Sequence, residues 1–183
     1  MELNYYKQEL RDRIKHIKKT IRTEQKLKES ETIFKLIEQL PEFKSAKTVL
    51  AYWSLPDEVV THNFIMKWYK EKQVLLPVVV NSTLEIREFS GMECMVKGKS
   101  FGILEPSKGK KVSASSIDFG IIPGVAFDSY GNRLGRGKGF YDKLLMNYNF
   151  LKVGVCFSFQ LVNRVPTGSY DIKMNKVIHP QKQ

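Results

Sequence analysis

Short apolar runs alternate with segments of helical periodicity along this chain, and this alternation limits the fold more than any other feature. Residues 48–53, 74–80 and 119–125 are too short for helices and rich in β-branched or aromatic side chains, as buried strands are. Between the first two runs, Thr61 can cap a helix whose apolar side chains recur at helical spacing over residues 64–69. Strands that are apolar on both faces are typical of a parallel sheet between two helical layers. We therefore predict an α/β protein, a three-layer α/β/α fold with a mostly parallel central sheet.

The N-terminal quarter of the chain predicts two helices. Residues 3–28 lack proline and glycine. Their apolar side chains form one stripe of an amphipathic helix, at Leu10, Ile14, Ile17 and Ile21. Ser30 is expected to cap a second helix that ends at Pro41. A chain of 183 residues is long enough for one sizeable core. We expect a single domain over residues 1–183, with the helical segment of residues 1–40 packing on the sheet.

The net charge of +11 indicates a polyanionic partner, which could be a nucleic acid, a membrane surface, or a small molecule with several phosphates or carboxylates. Acidic residues interleave with the N-terminal basic ones, and this distribution argues against a nucleic-acid surface. No apolar run approaches the roughly 20 residues that a membrane-spanning helix needs, and residues 1–7 lack the features of a secretory signal. We expect a cytoplasmic monomer that does not bind membranes, with a nucleic-acid partner disfavoured.

A glycine-rich basic segment lies between the strand that ends near Phe127 and a helix that begins near Phe140. The nine positions 131–139 include four glycines, two arginines and one lysine. Glycines let backbone N–H groups wrap an anion, the following helix points its positive end at the same place, and the cations neutralise the remaining charge. Gly139 stands where a P-loop needs Ser or Thr, and the glycine spacing differs from the dinucleotide fingerprint. The segment predicts a phosphate site of another kind, or else a flexible, solvated basic loop.

This segment also carries a resemblance to a known family. The residues Pro123–Asp128, Gly131 and Arg133–Asp142 resemble the signature of the 5-formyltetrahydrofolate cyclo-ligases, also called methenyltetrahydrofolate synthetases. Four other segments are similar to elements of this family: Lys18–Arg22 to its N-terminal Lys-x-x-Leu-Arg, Asp57–Thr61 to its acidic segment, Phe101–Pro106 to its Gly-Ile-x-Glu-Pro, and Val165–Pro166 with Asp171 to its C-terminal Pro and Asp. The chain departs from the family at Tyr170, where a His is usual, and at Asn175, where a second Asp is usual.

The resemblance implies an enzyme that converts 5-formyltetrahydrofolate to 5,10-methenyltetrahydrofolate while ATP becomes ADP and phosphate. The formyl oxygen is first phosphorylated, and the second folate nitrogen then closes the ring as phosphate departs. Phosphoryl transfer asks a protein mainly for positioning and charge stabilisation, so no protein nucleophile is needed. The implied ligands are a reduced folate, which can carry a polyglutamate tail, together with ATP and Mg²⁺.

The resemblance also implies roles for particular residues. Arg136 and Lys138 are the catalytic candidates. The ATP-binding candidates are Lys18, Lys19, Arg22, Arg133, Leu134, Gly135, Arg136, Gly137, Lys138, Gly139, Phe140, Tyr141 and Asp142. The substrate-binding candidates are Trp53, Glu58, Phe140 and Tyr141, and the metal candidates are Asp142 and Asp171.

Each of these roles has a simpler alternative that the residues alone leave open. Lys18 and Arg22, four apart on a predicted helix, could belong to an ordinary solvated face. Trp53 could be a core residue. Asp142 could be a carboxylate that is favourable in the first turn of a helix without binding metal.

Two other functions remain open at this point. The first is a basic module that binds RNA or another polyanion, with affinity that depends steeply on salt and not on ATP. The second is a related ATP-dependent enzyme with a changed substrate, because function resides in the site and not in the fold.

Overall fold

The computed structural model describes residues 2–81, 83–98, 104–146 and 148–181. The strands within these ranges are β1 (Thr48–Leu50), β2 (Gln73–Val80), β3 (Thr83–Glu88), β4 (Val96–Lys97), β5 (Leu104–Glu105), β6 (Phe119–Ile122), β7 (Ala126–Phe127), β8 (Arg133–Leu134), β9 (Leu151–Val155) and β10 (Lys176–Ile178). The α-helices are α1 (Glu2–Thr20), α2 (Thr23–Gln39), α3 (Pro41–Ser45), α4 (His62–Trp68) and α5 (Phe140–Met146).

One sheet organises these elements, with the strand order β10-β9-β6-β1-β2-β3 over the described ranges. Every neighbouring pair is parallel except β2 and β3, which form an antiparallel hairpin. The predicted α/β fold with a mostly parallel central sheet is confirmed.

Adjacent residues of β1 show how helices flank the sheet. Val49 belongs to an apolar cluster with Ile37 of α2 and Phe43 of α3. Its neighbour Leu50 belongs to a second cluster with Leu145 of α5. Because successive side chains of a strand point to opposite faces, the two clusters lie on opposite sides of the sheet.

The boundary between the first two helices differs from the prediction. The first helix ends at Thr20, and Arg22, with extended backbone (φ −67°, ψ 148°), precedes α2 without a side-chain cap hydrogen bond. Ser30 is therefore not an N-cap but an interior residue of α2. Its hydroxyl donates to the Lys26 carbonyl at 2.7 Å and accepts from the Val60 amide at 3.0 Å. A cap-type residue is stable inside a helix when its side chain finds such partners.

The helices of the N-terminal segment pack on different surfaces. Ile33 and Ile37 of α2 are fully buried against the six-stranded sheet. The apolar face of α1 instead meets the separate pair β7 and β8, where Leu10 and Ile14 cluster with Leu134.

This antiparallel pair of β7 and β8 replaces the first part of the loop that the sequence predicted. The turn between the two strands is organised by Asp128, whose side chain is fully buried. Its carboxylate accepts hydrogen bonds from the Tyr130 amide at 3.0 Å, the Asn132 amide at 2.9 Å, the Asn132 side chain at 2.8 Å and the Val165 amide at 2.9 Å. Burial raises the pKa of Asp128, but these hydrogen bonds outweigh it and hold the pKa below its ordinary value.

Replacing Asp128 by Asn should destabilise the fold, because the new amide group would face buried N–H donors. We expect the free energy of unfolding at neutral pH to fall by about 2–4 kcal/mol. A carboxyl group with a lowered pKa stabilises the fold above its unfolded-state pKa and loses that effect as pH falls through its folded-state pKa. The gap between wild type and Asp128→Asn should therefore narrow in acid.

Urea unfolding at neutral and acidic pH measures this gap. Asp12→Asn, on the exposed part of α1, is the matched control. Equal stability of wild type and Asp128→Asn at neutral pH would contradict the role given to this carboxylate.

Candidate functional site

A cavity of about 360 Å³ opens where the carboxyl ends of β1, β2 and β6 meet. Trp53 follows β1, Pro77 and Val79 belong to the second half of β2, and Gly124 follows β6. In open α/β sheets the carboxyl edge of parallel strands is where ligands bind. The fold therefore places this cavity where a small-molecule site is expected.

One wall of the cavity is apolar and aromatic. Trp53 is half-buried there and stacks on the His62 ring, with centroids 4.2 Å apart and planes at 25°. Its second stacking partner is Phe89, at 5.8 Å. Phe140 and Tyr141, at the start of α5, line the same cavity. The aromatic residues predicted to bind the substrate are thus brought together, and their flat faces suit a planar ring.

The cavity lining also carries paired charges centred on Arg136. Its Nη2 lies 2.8 Å from Asp57 Oδ1 and 2.9 Å from Glu58 Oε1, and its Nε donates to Glu58 at 3.2 Å. The second oxygen of Asp57 pairs with Lys18 Nζ at 2.8 Å.

The pKa values of this charged group follow from burial and pairing. Burial raises the pKa of Asp57, but Lys18 and Arg136 outweigh it and hold that pKa below its ordinary value. Burial lowers the pKa of Arg136, whereas the two carboxylates raise it and prevail. Asp57 and Arg136 are therefore both ionised near neutral pH, and their charges offset each other.

Arg133 forms a second ion pair beneath the glycine-rich loop. Its side chain is only 3% exposed, and its Nη2 lies 2.8 Å from Asp142 Oδ1. The same guanidinium donates to the Pro123 carbonyl and lies over the Tyr141 ring at 5.7 Å. Arg133 and Asp142 both line the cavity. The pair joins the end of β6 to the first turn of α5.

The loop of residues 135–139 forms the rim of the cavity. Gly137 (φ 98°) and Gly139 (φ 66°) have left-handed backbone that favours glycine. A Cβ placed on Gly139 would meet no heavy atom of the described residues within 4 Å, so this part of the loop faces open space. Lys138 Nζ lies over the Phe140 ring at 5.9 Å and also lines the cavity. Leu134, in contrast, is buried against α1, so a ligand would meet its backbone and not its side chain.

Arg11 of α1 is a residue of this site that the sequence reasoning missed. Its Nε donates to the Gly135 carbonyl at 2.9 Å, and its guanidinium would lie 3.5 Å from a Cβ on Gly137. One helical turn earlier, Lys7 pairs with Asp171. The signal was available, because Lys7-Gln8-Glu9-Leu10-Arg11 matches the pattern Lys-x-x-Leu-Arg literally, whereas Lys18–Arg22 has Ile in place of Leu.

The structure separates the predicted N-terminal cations. Lys18 and Arg22 do not share a helix face, because the first helix ends at Thr20 and Arg22 lies in the extended junction. Lys18 reaches the site through Asp57. Lys19 and Arg22 are exposed and absent from the described lining of the cavity.

The two predicted metal ligands, Asp142 and Asp171, have different surroundings. Asp142 lines the cavity, whereas Asp171 accepts from the Gly168 amide and pairs with Lys7 outside the described lining. Over residues 2–81, 83–98, 104–146 and 148–181, no group of three or more His, Cys, Asp or Glu side chains is arranged to hold a metal ion.

The remaining family elements are placed as follows. Residues 101–103 of the Phe101–Pro106 element lie outside the described residues, and Glu105 and Pro106 line the cavity. Tyr170 is exposed. Asn175 has a structural contact, since its Oδ1 accepts from the Lys152 amide at 2.7 Å.

Comparison with known proteins decides the family. Residues 4–180 match the sequence model of the 5-formyltetrahydrofolate cyclo-ligase family. The chain belongs to this family. A Haemophilus influenzae 5-formyltetrahydrofolate cyclo-ligase is 30% identical over 180 residues, which cover 94% of this chain and 96% of that protein. The Escherichia coli K12 cyclo-ligase is 34% identical over 152 residues, covering 78% and 82%.

Solved structures of cyclo-ligases, under their other name, agree with this assignment. The NMR structure of Aquifex aeolicus 5,10-methenyltetrahydrofolate synthetase superposes with a TM-score of 0.86 and 37% identity, covering 94% of this chain and 88% of that one. A Mycoplasma pneumoniae 5,10-methenyltetrahydrofolate synthetase, at 23% identity and a TM-score of 0.76, supports the fold. In the part of this cyclo-ligase-family chain that the structure describes, no helix has the length and apolarity needed to cross a membrane.

Removing the Arg11 side chain should loosen the glycine-rich loop, because the Gly135 carbonyl would lose its donor. We expect the backbone amides of residues 135–139 to exchange with solvent about 10-fold faster in Arg11→Ala. Hydrogen exchange followed by mass spectrometry measures this rate. Lys15→Ala, on an exposed position of the same helix, is the control and should exchange like wild type. Identical exchange in Arg11→Ala would show that α1 does not hold the loop.

Proposed function

We propose that this protein converts 5-formyltetrahydrofolate to 5,10-methenyltetrahydrofolate with ATP and Mg²⁺, releasing ADP and phosphate. Membership of the cyclo-ligase family supports the reaction. The observation that carries the proposal for this chain is the cavity itself, because its rim is the glycine-rich basic loop and its wall is aromatic. A phosphate chain and a flat ring would therefore lie side by side.

The triphosphate is proposed to bind at the loop of residues 135–139. Backbone N–H groups, with Arg136 and Lys138, would neutralise the charge that develops on the transferred phosphoryl group. Arg136 would do so by exchanging Asp57 and Glu58 for phosphate oxygens, to which a guanidinium binds with the same geometry. Lys18 would contribute by holding Asp57 through their ion pair. The described lining of the cavity includes neither Lys19 nor Arg22, so their roles stay predictions.

The reduced folate is proposed to occupy the aromatic side of the cavity. Trp53, Phe140 and Tyr141 would cover the pterin ring, and the Glu58 carboxylate would accept from one N–H group of the reduced ring. Glu58 already pairs with Arg136. Glu58 is a folate candidate and Arg136 an ATP candidate, so their ion pair would couple the two halves of the site.

The residues present fit a magnesium ion. Mg²⁺ in nucleotide sites is commonly held by one or two carboxylates and by substrate phosphates, so a cage of protein ligands is not required. Asp142 lines the cavity beside the loop, and only its Oδ1 is engaged by Arg133 in the described contacts. A metal role for Asp171 stays a prediction, because it pairs with Lys7 outside the described cavity lining. When bound, the ion supplies charge neutralisation on the phosphates.

The chemistry requires two bond exchanges. The formyl oxygen takes the γ-phosphoryl group as ADP leaves, which converts a poor leaving group into a good one. The second folate nitrogen, N10, then attacks the formyl carbon and loses its proton, and the carbon–oxygen bond breaks as phosphate departs. Each exchange needs alignment and charge stabilisation, which a closed cavity with fixed cations supplies.

The other functions receive less support. Arg136, Arg133 and Lys18 are paired with carboxylates, and a nucleic-acid surface would present such cations to solvent. An enzyme of the same family with a changed substrate would be revealed by ATP turnover without 5-formyltetrahydrofolate conversion. The single-domain organisation, the monomeric state and the cytoplasmic location stay predictions.

The purified protein should convert 5-formyltetrahydrofolate only when ATP and Mg²⁺ are both present. The methenyl product absorbs near-ultraviolet light where the substrate does not, so absorbance follows the reaction. Lys138→Ala should raise the KM for ATP by roughly 10- to 100-fold, because a charge-assisted contact to phosphate is lost. Lys143→Ala, exposed on α5, is the control with the same change of charge. No absorbance change with the wild-type protein would refute the proposed function.

A further inference from the structure

The cavity contains one carboxyl group that the function described above does not use. Among the residues that the structure describes, three carboxyl groups line the cavity: Glu58, Glu105 and Asp142. Glu58 pairs with Arg136 and Asp142 pairs with Arg133. No cation of the described residues forms an ion pair with Glu105.

Glu105 is held firmly in this position. It belongs to β5, which pairs with β4 so that Glu105 faces Val96. Its side chain is 5% exposed, and a Cβ placed on Gly98 would lie 2.5 Å from its carboxyl carbon. Burial raises the pKa of Glu105, although a hydrogen bond with the Val79 backbone opposes the change. The carboxyl group therefore has one described polar partner and a fixed direction.

A carboxyl group in such a place costs stability. Burying a carboxylate without a cation carries a desolvation penalty that a single hydrogen bond does not offset. Residues that weaken the fold in this way commonly serve a site. The other residues that β2 and β5 contribute to the cavity lining are apolar, among them Leu76, Pro77 and Leu104. A ligand that offers N–H donors at its edge and an apolar face would satisfy both the carboxyl group and its neighbours.

We propose that Glu105 is a substrate-specificity residue that accepts hydrogen bonds from the amino group and the adjacent ring N–H of the pterin. The inference rests on the proposed function, since it concerns the folate of that reaction. These two donors are parallel, and a carboxylate offers two parallel acceptors, as in its pairing with a guanidinium. Leu76, Pro77 and Leu104 would then cover the ring next to that edge.

The other carboxyl groups are less suited to this edge. Glu58 Oε1 already accepts twice from Arg136, and Glu58 Oε2 accepts from the Leu55 amide at 3.0 Å. Asp142 is beside the loop proposed for phosphate. Glu105 has no ion-pair partner among the described residues, and its one described polar contact, with the Val79 backbone, leaves further acceptor capacity for a ligand.

The test compares the binding of 5-formyltetrahydrofolate and of ATP in matched variants. Glu105→Gln keeps the shape and removes the charge, whereas Glu105→Met removes the acceptors. Both should weaken folate binding by roughly 10- to 100-fold and leave the Kd of ATP unchanged, because only folate would contact this residue. Quenching of tryptophan fluorescence measures both affinities, since Trp53 lines the cavity. Glu93→Gln, an exposed acid between β3 and β4, should bind like wild type.

Two further readouts separate a binding role from a structural one. Glu105→Met should raise the Tm, because it removes the cost of the buried carboxyl group. A 2-desamino analogue of 5-formyltetrahydrofolate should bind the wild-type protein more weakly than the natural compound does. The Glu105 variants should discriminate less between the two compounds, as in a double-mutant cycle.

The outcomes distinguish this inference from the proposed function. Wild-type protein that turns over 5-formyltetrahydrofolate, with Glu105 variants of equal folate affinity, would overturn the inference alone. A lower Tm in both variants would assign Glu105 a structural role and would also overturn it. Wild-type protein without turnover would refute the proposed function itself.

Discussion

The buried guanidinium of Arg133 is the interaction on which the rest of the site depends. It links the Pro123 carbonyl at the end of β6, the Asp142 carboxylate in the first turn of α5, and the face of the Tyr141 ring. A charge that is 3% exposed is tolerated because it is paired, and losing either partner of such a pair costs about 3–5 kcal/mol. The path of the glycine-rich loop between these anchors is therefore fixed before any ligand arrives.

The partly exposed charges around Arg136 largely neutralise one another. Asp57 joins Lys18 to Arg136, and Glu58 holds Arg136 from the other side. Because these cations are already held in place, they lose little conformational entropy when a phosphate replaces the carboxylates. This preorganisation favours binding. Glu58 lines the same cavity, so if folate binds there, release of Arg136 toward a nucleotide would also change the acceptors that the folate meets.

Local sequence patterns were sufficient to predict the sheet and the position of the glycine-rich loop, whose role as a phosphate site stays a prediction. The apolar runs that became β2 and β6 are too short for helices and rich in apolar, mostly β-branched residues, and the glycines of residues 135–139 have few uses other than close backbone approach. The two-residue strands β7 and β8 form no such run, so the hairpin was missed. The helix break at Arg22 was also missed, because no side chain caps α2 there.

The contacts that assemble the candidate site lie further apart in sequence than any local pattern reaches. Arg136 and Glu58 are 78 residues apart, and Arg11 and Gly135 are 124 residues apart. Periodicity cannot report such pairs, and only the resemblance to the cyclo-ligases brought these segments into one site. Arg11 was overlooked even with the resemblance, because Lys18–Arg22, which fits the Lys-x-x-Leu-Arg pattern less well than Lys7–Arg11, was matched to it instead. These side-chain contacts could be established only from the structure.

Nucleotide and folate are proposed to meet in one cavity, so that the formyl oxygen receives the phosphoryl group directly. A single turnover with 5-formyltetrahydrofolate labelled with ¹⁸O in the formyl group tests this claim. Mass spectrometry of the products should find the label in inorganic phosphate, because that oxygen departs with the phosphoryl group. Label found in water, with unlabelled phosphate, would contradict the account.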